Sequence, residues 1–327
     1  MRPCEAMMGR KRTAPKPLLP VVIINPVAGS GVGHDAFRHT EHELLDLLGE
    51  MEICFTEAPG DAEVLAAKAL DEGARDIIVV GGDGTINEVV NGWFNANGLE
   101  RAPGSRLVPL GGGTGSDFVR SIGLATASDT CTALRNDTSR RVDVGILTCK
   151  ARHGGDTVER RYLNIASFGL SSMANEAVSR FSAMGGGLAY AAATVWSLVG
   201  WSNPGIELTY TTHDDRALRY EGPIVMGAFA NGRFFGGGMM VAPEAEVDDG
   251  LLDVVLIGNL RRRDIVRLAR HLYDGSHVVH SSVTTVRAKS VEVSGPESTL
   301  IEADGDVFGR LPATFTADHA AITVVCP

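Results

Sequence analysis

The feature that most limits what this chain can fold into is a glycine-rich turn, VVGGDGTINEVVNG, at residues 79–92. It begins as an apolar strand, passes through three glycines around Asp83, and continues as a helical pattern. A turn of this kind brings backbone N–H groups and a helix N-terminus close to a bound anion. Thr85 and Glu88 fit the T-x-x-E capping box, which predicts that the helix begins at Thr85.

The carboxylate of Asp83 is the unusual part of this turn. A tight structural turn accounts for the glycines, but it does not account for an aspartate among them. A carboxylate next to phosphate groups repels them unless a cation lies between. The turn therefore predicts that Asp83 holds Mg²⁺, directly or through water, beside bound phosphates.

The first 140 residues alternate between strand and helix patterns. Apolar runs that predict strands lie at residues 21–25, 51–56, 76–80 and 106–110. Helical patterns lie at residues 34–48 and 61–72, from 86 onward and from 117 onward, with Asp61 as a predicted N-cap. Apolar strands that alternate with helices form a parallel sheet covered on both faces. The N-terminal part is therefore predicted to be α/β, with a doubly wound, mainly parallel sheet.

Strand-like segments separated by turn residues dominate the chain after residue 141. Only two helices are predicted there, at residues 171–200 and 263–273. The pattern indicates a C-terminal β-sandwich domain. We therefore predict a disordered basic tail over residues 1–20, a nucleotide-binding α/β domain over residues 21–141 and a β-sandwich domain over residues 142–327.

Two further glycine turns follow predicted strands, VPLGGGTGSDFVRS at residues 108–121 and NPVAGSG at residues 25–31. Turns at the carboxyl ends of parallel strands converge on one crevice, which is the usual ligand site of an open α/β sheet. Ser116 is the predicted N-cap of the helix after the second turn. The chain has no GxxxxGK[ST] sequence, and GVGHDA at residues 31–36 begins too far beyond its strand for a dinucleotide fingerprint.

The overall composition excludes several classes of protein. A net charge of −10 and a pI near 5.4 argue against nucleic-acid binding, which needs a basic face. The five cysteines are far apart and form no CxxC pair, which predicts neither disulfides nor a zinc site. The N-terminal residues lack the apolar segment of a secretory signal, and the apolar run at residues 185–201 is short for a membrane span. A cytoplasmic protein is predicted.

Together and in order, these motifs resemble the diacylglycerol kinase catalytic family, and most closely its bacterial lipid kinase branch beside the sphingosine and ceramide kinases. The resemblance extends from residue 21 to residue 327. It rests on the segments NPVAGSG, TEAPGDA, GGDGTINEVVNG, PLGGGTGSDFVRSIG, ANGRFFGGGMMVAPEAEVDDGLLDV and DGD. GGDGT alone also occurs in phosphofructokinases and NAD kinases, whereas the ordered set is specific to the lipid kinases.

The resemblance implies an ATP site in the cleft between the two domains, with Mg²⁺ as the metal. The implied nucleotide contacts are Asn25, Thr56, Gly81, Gly82, Asp83, Gly84, Thr85, Ile86, Asn87, Gly113, Thr114 and Asp117. Asp117 and Asp143 match family aspartates that shape the catalytic and metal site. A structural Mg²⁺ site is implied at the VDDGLLD turn, with the Asp249 carboxylate and the main-chain carbonyls of Glu246 and Leu251. A plain hairpin turn also explains that segment, since Asp-Gly is a strong turn signal.

The family places its catalytic base, which deprotonates the acceptor hydroxyl, in a DGE motif. This sequence reads IEADGDVFG, so the base position is Asp306, whose side chain is shorter by one methylene. A shorter side chain there lowers the rate unless the backbone compensates. Ser116 also departs from the family, which has an amide side chain there, and Ser30 stands where a basic residue is common. Asp83 and Asp306 are the implied catalytic residues.

The implied acceptor is a hydroxyl of a diacylglycerol-like or sphingoid lipid, reached by transient contact with the inner face of the membrane. The apolar segment 181–201 matches the family region near the lipid site, although a core helix explains it as well. Two alternatives remain open: a NAD kinase- or phosphofructokinase-like enzyme with a soluble acceptor, and a nucleotide-binding protein that senses lipid without catalysis. The oligomeric state is open between a monomer and a homodimer.

Overall fold

The structure is a computed structural model that describes residues 19–28, 32–110, 116–178, 180–181, 186–199 and 201–327. Most of the predicted basic tail, together with Ser30, Gly113 and Thr114, lies outside the described residues. Among the described residues, no helix has both the length and the apolar character needed to cross a membrane.

The N-terminal part alternates strands and helices in the predicted order. Its strands are β1 (Val21–Ile24), β2 (Glu52–Phe55), β3 (Asp76–Val80) and β4 (Arg106–Pro109). Its helices are α1 (Val32–Leu48), α2 (Asp61–Asp71), α3 (Asp83–Trp93), α4 (Asp117–Ser121) and α5 (Ala127–Arg135). Helix α5 has no counterpart among the predicted elements.

The four strands form a parallel sheet in the order β2–β1–β3–β4. Successive side chains of a strand point to opposite faces. Ile23 and Val79 pack against the alanine-rich face of α2 and against α3, whereas Ile24 and Val80 pack against α1 and α5. Both faces are therefore covered by helices, and the predicted doubly wound arrangement is confirmed.

The remainder of the chain is rich in strands. The strands are β5 (Ser139–Ala151), β6 (Thr157–Tyr162), β7 (Ile165–Gly169), β8 (Gly205–Thr212), β9 (Ala217–Ala230), β10 (Phe234–Phe235), β11 (Met239–Met240), β12 (Leu252–Gly258), β13 (Val283–Ser294), β14 (Leu300–Ala303) and β15 (Asp306–Val325). The helices are α6 (Leu170–Val178), α7 (Gly186–Leu198) and α8 (Arg262–Leu268), followed by 3-10 turns at Ala269–Leu272 and Ser276–Val279.

These strands fold back on themselves to form the predicted β-sandwich. β12 pairs with both β13 and β9, and β13 pairs with β8 and β15 as well. The enclosed core is centred on three phenylalanines. The ring of Phe229 stacks on Phe315 with 3.7 Å between centroids and lies 5.9 Å from the ring of Phe168.

Strand β15 belongs to both parts of the molecule. It begins beside β14, continues antiparallel to β5 and β13, and ends parallel to β4, where Thr323 pairs with Arg106 and Val324 pairs with Leu107. The two parts therefore share one continuous sheet. The predicted division of the chain after residue 141 stays a prediction.

Three local predictions differ from the structure. Helix α3 begins at Asp83, two residues before the predicted start, and its N-cap is Gly82, which has no side chain to cap it. The Glu88 carboxylate accepts a hydrogen bond from the N–H of Ala62 at 3.2 Å instead of closing a capping box. Asp61 is the first residue of α2, with Gly60 as the N-cap. The single helix predicted over residues 171–200 corresponds to α6 and α7.

Candidate active site

The predicted nucleotide-binding residues lie where the parallel strands end. Asn25 follows β1, Thr56 follows β2, and the glycine turn follows β3. The Asn25 amide donates to the hydroxyl of Thr85 at 3.0 Å, which joins the first and third of these turns. A side chain at Gly81 would put its Cβ 2.5 Å from that hydroxyl oxygen, so the turn needs glycine there.

The Asp83 carboxylate joins the glycine turn to the start of α4. It accepts hydrogen bonds from the Ser116 hydroxyl at 3.0 Å and from the N–H groups of Asp117 at 2.8 Å and Phe118 at 3.1 Å. Ser116 occupies the predicted N-cap position, but its own side chain makes no capping bond. Asp83 thus caps α4 from a distant part of the chain.

Asp83 and Asp117 are neighbouring carboxylates, of which Asp83 is half-buried and Asp117 is buried. Burial raises the pKa of Asp83, while its hydrogen bonds to Asp117, Phe118 and Ser116 and the charge of Arg120 lower it. Burial also raises the pKa of Asp117 to about 6, and the charge of Asp83 adds to that rise. Desolvated acids that repel each other are stabilised by a bound cation.

Both aspartates line a cavity of about 180 Å³, which we call the acidic cavity. Asp304, Asn164 and Asn175 line it as well. The Nδ2 atom of Asn175 is buried and has no hydrogen-bond partner among the described residues. Buried amides normally have partners, so Asn175 offers a hydrogen bond to a ligand in this cavity.

The DGD motif forms the tight turn between β14 and β15. Asp304 and Gly305 both have left-handed backbone angles, with φ of 47° and 94°, and Ala303 pairs with Asp306 across the turn. Such angles at both central positions define a type I′ hairpin, which favours Asp-Gly.

The Asp304 carboxylate accepts four hydrogen bonds. It accepts hydrogen bonds at 2.8–3.1 Å from the N–H groups of Leu163, Asn164 and Ile165 and from the Asn87 amide. Burial nevertheless raises its pKa to about 6. Asp304 therefore anchors the turn against β7 and α3.

Asp306, the predicted base, has a different setting. Its carboxylate is exposed and has no hydrogen-bond or ion-pair partner among the described residues, and it does not line the acidic cavity. Partial desolvation raises its pKa, the charge of Arg160 opposes that rise, and the charge of Glu88 adds to it. A carboxylate without donors is free to accept a proton.

A third carboxyl group, Glu302, is buried beneath the turn. Its two oxygens contact the Ser167 hydroxyl and the N–H of Gly305, the latter at 3.0 Å. The Ser167 hydroxyl in turn lies 2.7 Å from that of Ser171. Complete burial raises the pKa of Glu302 to about 8, and the charges of Asp304 and Asp306 contribute to the rise. Glu302 is therefore protonated at neutral pH.

An apolar pocket of about 200 Å³ lies next to the acidic cavity. Its lining includes Leu170 and Ala174 of α6, Leu198 of α7, Val225 of β9, Ile257 of β12 and Leu268 of α8. Phe235 lines both the pocket and the acidic cavity. A deep apolar space therefore adjoins a group of carboxylates.

Comparison with known proteins assigns this arrangement to a family. Residues 20–147 match the diacylglycerol kinase catalytic domain, and residues 164–326 match the YegS C-terminal NAD kinase beta sandwich-like domain. The chain belongs to the diacylglycerol kinase family. It is a lipid kinase, as the resemblance implied.

Relatives within this family align along nearly the whole chain. The chain is 29% identical over 314 residues to a diacylglycerol kinase of Mycobacterium tuberculosis (strain H37Rv), with 93% of this chain and 94% of that protein covered. It is 27% identical over 312 residues to a diacylglycerol kinase of Bacillus subtilis (strain 168), with 94% and 95% covered. The crystal structure of a diacylglycerol kinase from Bacillus anthracis (str. Sterne) has a TM-score of 0.66 at 21% identity, with 95% and 97% covered, and supports the fold.

The family's implied structural Mg²⁺ site falls at the turn around Asp249. In this structure the Asp249 carboxylate contacts the guanidinium of Arg287, which also lies 3.7 Å from Asp253. Among the residues that the structure describes, no three His, Cys, Asp or Glu side chains are grouped to hold a metal. Arg287 thus supplies positive charge where the Mg²⁺ was predicted, and the site of Glu246, Asp249 and Leu251 stays a prediction.

Asp143, predicted to shape the metal site of the lipid kinase, is fully buried beside this turn. It accepts hydrogen bonds from the N–H groups of Gly250 at 2.6 Å and Ala320 at 2.7 Å, and it lies 2.8 Å from Nδ1 of His319. These contacts tie the turn to β15. The structure thus gives Asp143 three protein partners and separates it from the residues lining the acidic cavity.

The side chains of two predicted nucleotide contacts of the lipid kinase, Ile86 and Asn87, contact other parts of the protein in the structure. Ile86 is buried in the core between the sheet and α3. The Asn87 amide donates to Asp304 and to the carbonyl of Arg161, each at 2.9 Å. The Asn87 side chain therefore joins the two parts of the molecule and the Ile86 side chain belongs to the core, so their main-chain groups are left for phosphate.

Sequence reasoning missed Asn175, Glu302 and the anchoring role of Asp304. Glu302 and Asp304 lie within the segment IEADGDVFG, where three acidic residues alternate on a hairpin. Side chains two positions apart share a face of a strand, so that pattern could have indicated a cluster of carboxyl groups. No local signal marks Asn175.

Replacement of Glu302 by glutamine is expected to make folding stability less dependent on pH. The pKa of Glu302 is about 8 in the folded protein against an ordinary 4.5, so stability falls as the pH rises between these values. Glutamine keeps partners for Gly305 and Ser167 and does not titrate. Between pH 5.5 and 8.5 the variant should gain on the order of 3 kcal/mol relative to the natural protein.

Urea unfolding at both pH values measures this difference. Glu292→Gln, a change at an exposed position of β13, is the matched control and should leave the pH dependence unaltered. Parallel pH profiles for the natural protein and Glu302→Gln would contradict a protonated Glu302.

Proposed function

We propose that this lipid kinase transfers the γ-phosphate of ATP, assisted by Mg²⁺, to a hydroxyl of a diacylglycerol-like or sphingoid lipid at the inner face of the cytoplasmic membrane. The observation that carries the proposal is the junction of the apolar pocket and the acidic cavity at Phe235. A lipid with its acyl chain in the pocket would present its polar end beside the carboxylates.

The glycine turn suits the phosphates of ATP. A side chain placed at Gly82 or Gly84 would meet no atom within 4 Å, so the start of α3 is open to a ligand. The N-terminus of a helix attracts anions through its N–H groups and dipole. Asn25 and Thr56 lie at the same edge of the sheet, which supports their roles as nucleotide contacts.

Asp83 and Asp117 suit Mg²⁺. Their carboxylate oxygens are the ligand type that this ion prefers, and kinase sites commonly hold it with one or two carboxylates plus phosphate oxygens. When bound, ATP supplies the phosphoryl group and Mg²⁺ neutralises its charge. Burial is the main cause of the raised pKa of Asp117, and a bound cation would lower that pKa again.

The remaining steps belong to the chain's own residues. Asp306 accepts the proton of the acceptor hydroxyl as that oxygen bonds to the γ-phosphorus and the bond between the γ-phosphorus and the ADP oxygen breaks. Asp304 holds the hairpin that carries Asp306, and Asn175 donates a hydrogen bond to a ligand oxygen in the acidic cavity. Partial desolvation raises the pKa of Asp306, so activity is lost on acidification at a higher pH than for an ordinary aspartate.

Transfer of labelled phosphate from ATP to a mixed lipid extract, with each product identified by mass, tests the proposal. A phosphorylated lipid is the expected product. A phosphorylated soluble acceptor in a parallel screen would instead support the NAD kinase- or phosphofructokinase-like alternative. Nucleotide binding without any phosphorylated product would support a non-catalytic lipid sensor.

Replacement of Ala174 by phenylalanine is expected to raise KM for a long-chain lipid without changing KM for ATP. Ala174 is buried in the lining of the apolar pocket, and a phenyl ring there would displace part of an acyl chain. Loss of two buried methylenes, at about 0.8 kcal/mol each, corresponds to roughly a ten-fold rise in KM. Ala217→Phe on the exposed start of β9 is the matched control.

Steady-state kinetics with a long-chain and a short-chain diacylglycerol measure this effect. The short-chain substrate should respond little to Ala174→Phe. Equal effects on both substrates would place the acyl chain elsewhere.

A further inference from the structure

A strongly basic segment stands out in this acidic chain. The sequence RRRDIVRLARH at residues 261–271 has five arginines and one aspartate, whereas the whole chain has a net charge of −10. It forms α8 and the 3-10 turn that follows. Arg263, Arg267 and Arg270 recur at helical spacing and are exposed, while Ile265 and Leu268 on the opposite face are buried. A basic stripe therefore faces solvent.

Large apolar side chains are exposed next to this stripe. On α7 and just after it, Val195, Trp196 and Val199 are 60%, 54% and 75% exposed. Val266 of α8 and Tyr273 are 48% and 55% exposed. Val195, Val266 and Tyr273 also line the apolar pocket, so they form its rim.

A hydrogen bond joins α8 to the segment that follows α7. Arg262 donates to the carbonyl of Trp201 at 3.0 Å, which links α8 to the segment after α7. The ring of Trp196 packs edge-on against Phe181, with 6.4 Å between centroids. We call the exposed face formed by Val195, Trp196, Val199, Arg263, Val266, Arg267, Arg270 and Tyr273 the α7–α8 surface.

We propose that the α7–α8 surface docks on a bilayer that contains anionic phospholipid, with the rim of the apolar pocket turned toward the acyl chains. Tryptophan, tyrosine and aliphatic groups beside arginines are typical of faces that lie in a membrane interface. Delivery of lipid into the pocket rests on the proposed function, whereas docking itself rests on the exposed apolar groups and the arginines.

Charge complementarity favours an anionic bilayer as the partner of the α7–α8 surface. The one acidic side chain of the segment, Asp264, lies 3.1 Å from Arg267 and 3.7 Å from Arg263, so the arginines outnumber it. A basic side chain near an anionic membrane strengthens binding about five-fold. An acidic chain with a basic, apolar-rimmed face would meet such a membrane preferentially through that face, because an anionic surface repels negatively charged ones.

Sedimentation with phosphatidylcholine vesicles, with and without phosphatidylglycerol, tests the docking of the full chain in the absence of ATP. The chain should bind the phosphatidylglycerol vesicles, and added salt should weaken the binding. The double variant Arg267→Glu/Arg270→Glu should bind at least about 25-fold more weakly. Arg216→Glu, which changes an exposed arginine just before β9, is the matched control.

A second measurement separates docking from catalysis. Arg267→Glu/Arg270→Glu should phosphorylate a monomeric short-chain diacylglycerol as the natural protein does, but should lose activity toward diacylglycerol in vesicles. If the natural protein binds the anionic vesicles yet phosphorylates no lipid, the docking stands and the proposed function fails.

Two results would overturn the docking proposal. One is equal vesicle binding by Arg267→Glu/Arg270→Glu and Arg216→Glu. The other is a homodimer in light scattering that Trp196→Arg converts to a monomer while vesicle binding is retained, which would make this surface an interface between two copies of the chain.

Discussion

Replacement of Asp83 by asparagine is expected to lower kcat by at least about 10²-fold, because it removes one preorganised charge and shifts the groups that it holds. The carboxylate accepts three hydrogen bonds at the start of α4, from Ser116, Asp117 and Phe118. An asparagine amide would turn an NH₂ group toward some of these donors. Stability should also fall by about 1–3 kcal/mol.

Asp61→Asn is the matched control for this variant. The Asp61 carboxylate also accepts two backbone hydrogen bonds, from Glu57 and Ala58, but it lies at the surface at the start of α2. It should lose stability and keep kcat. Kinetics and thermal unfolding of both variants separate the two effects, and an unimpaired kcat in Asp83→Asn would remove Asp83 from the site.

Replacement of Asp306 by asparagine is expected to abolish transfer while nucleotide binding is retained. Loss of a general base lowers a rate by about 10²–10⁴-fold, and an amide cannot accept the proton. The Asp306 carboxylate has no partner among the described residues, so the change should leave the hairpin intact. Calorimetric titration with a non-hydrolysable ATP analogue and a transfer assay measure the two properties.

Asp306→Glu tests the length of the side chain at the same position. A glutamate extends the carboxylate by one methylene and should raise the rate if the natural reach is short. Asp156→Asn, an exposed aspartate in the loop before β6, should have no effect on transfer. Normal transfer by Asp306→Asn would show that another group accepts the proton.

The parallel sheet and the positions of its glycine turns could be predicted from sequence because their signals are local. Apolar runs of four or five residues predict buried strands, and glycines at their ends predict the ligand edge. The start of α3 could not be predicted in the same way. Thr85 and Glu88 fit a local capping pattern, but in the structure they bond to Asn25 and Ala62, which are distant in sequence.

The same distinction between local sequence signals and long-range contacts applies to the residues of the site. Asp83 and Asp306 were found because they lie in motifs, although the capping of α4 by Asp83 was not foreseen. The roles of Glu302 and Asp304 depend on β7, which is far away in the sequence. Asn175 became a candidate only because its Nδ2 atom, which has no partner among the described residues, lies in the acidic cavity with three aspartates. Long-range contacts of this kind have no local pattern.

Strand β15 pairs with strands of both parts of the molecule, and this affects folding during synthesis. Because Thr323 and Val324 of β15 pair with Arg106 and Leu107 of β4, this edge of the parallel sheet is completed only after a segment far downstream in the chain has been synthesised. Until then, the edge of β4 has unpaired N–H and C=O groups, which can pair with strands of other chains. The four N-terminal strands therefore do not complete their sheet alone, since the strand that covers the edge of β4 comes from a distant part of the chain.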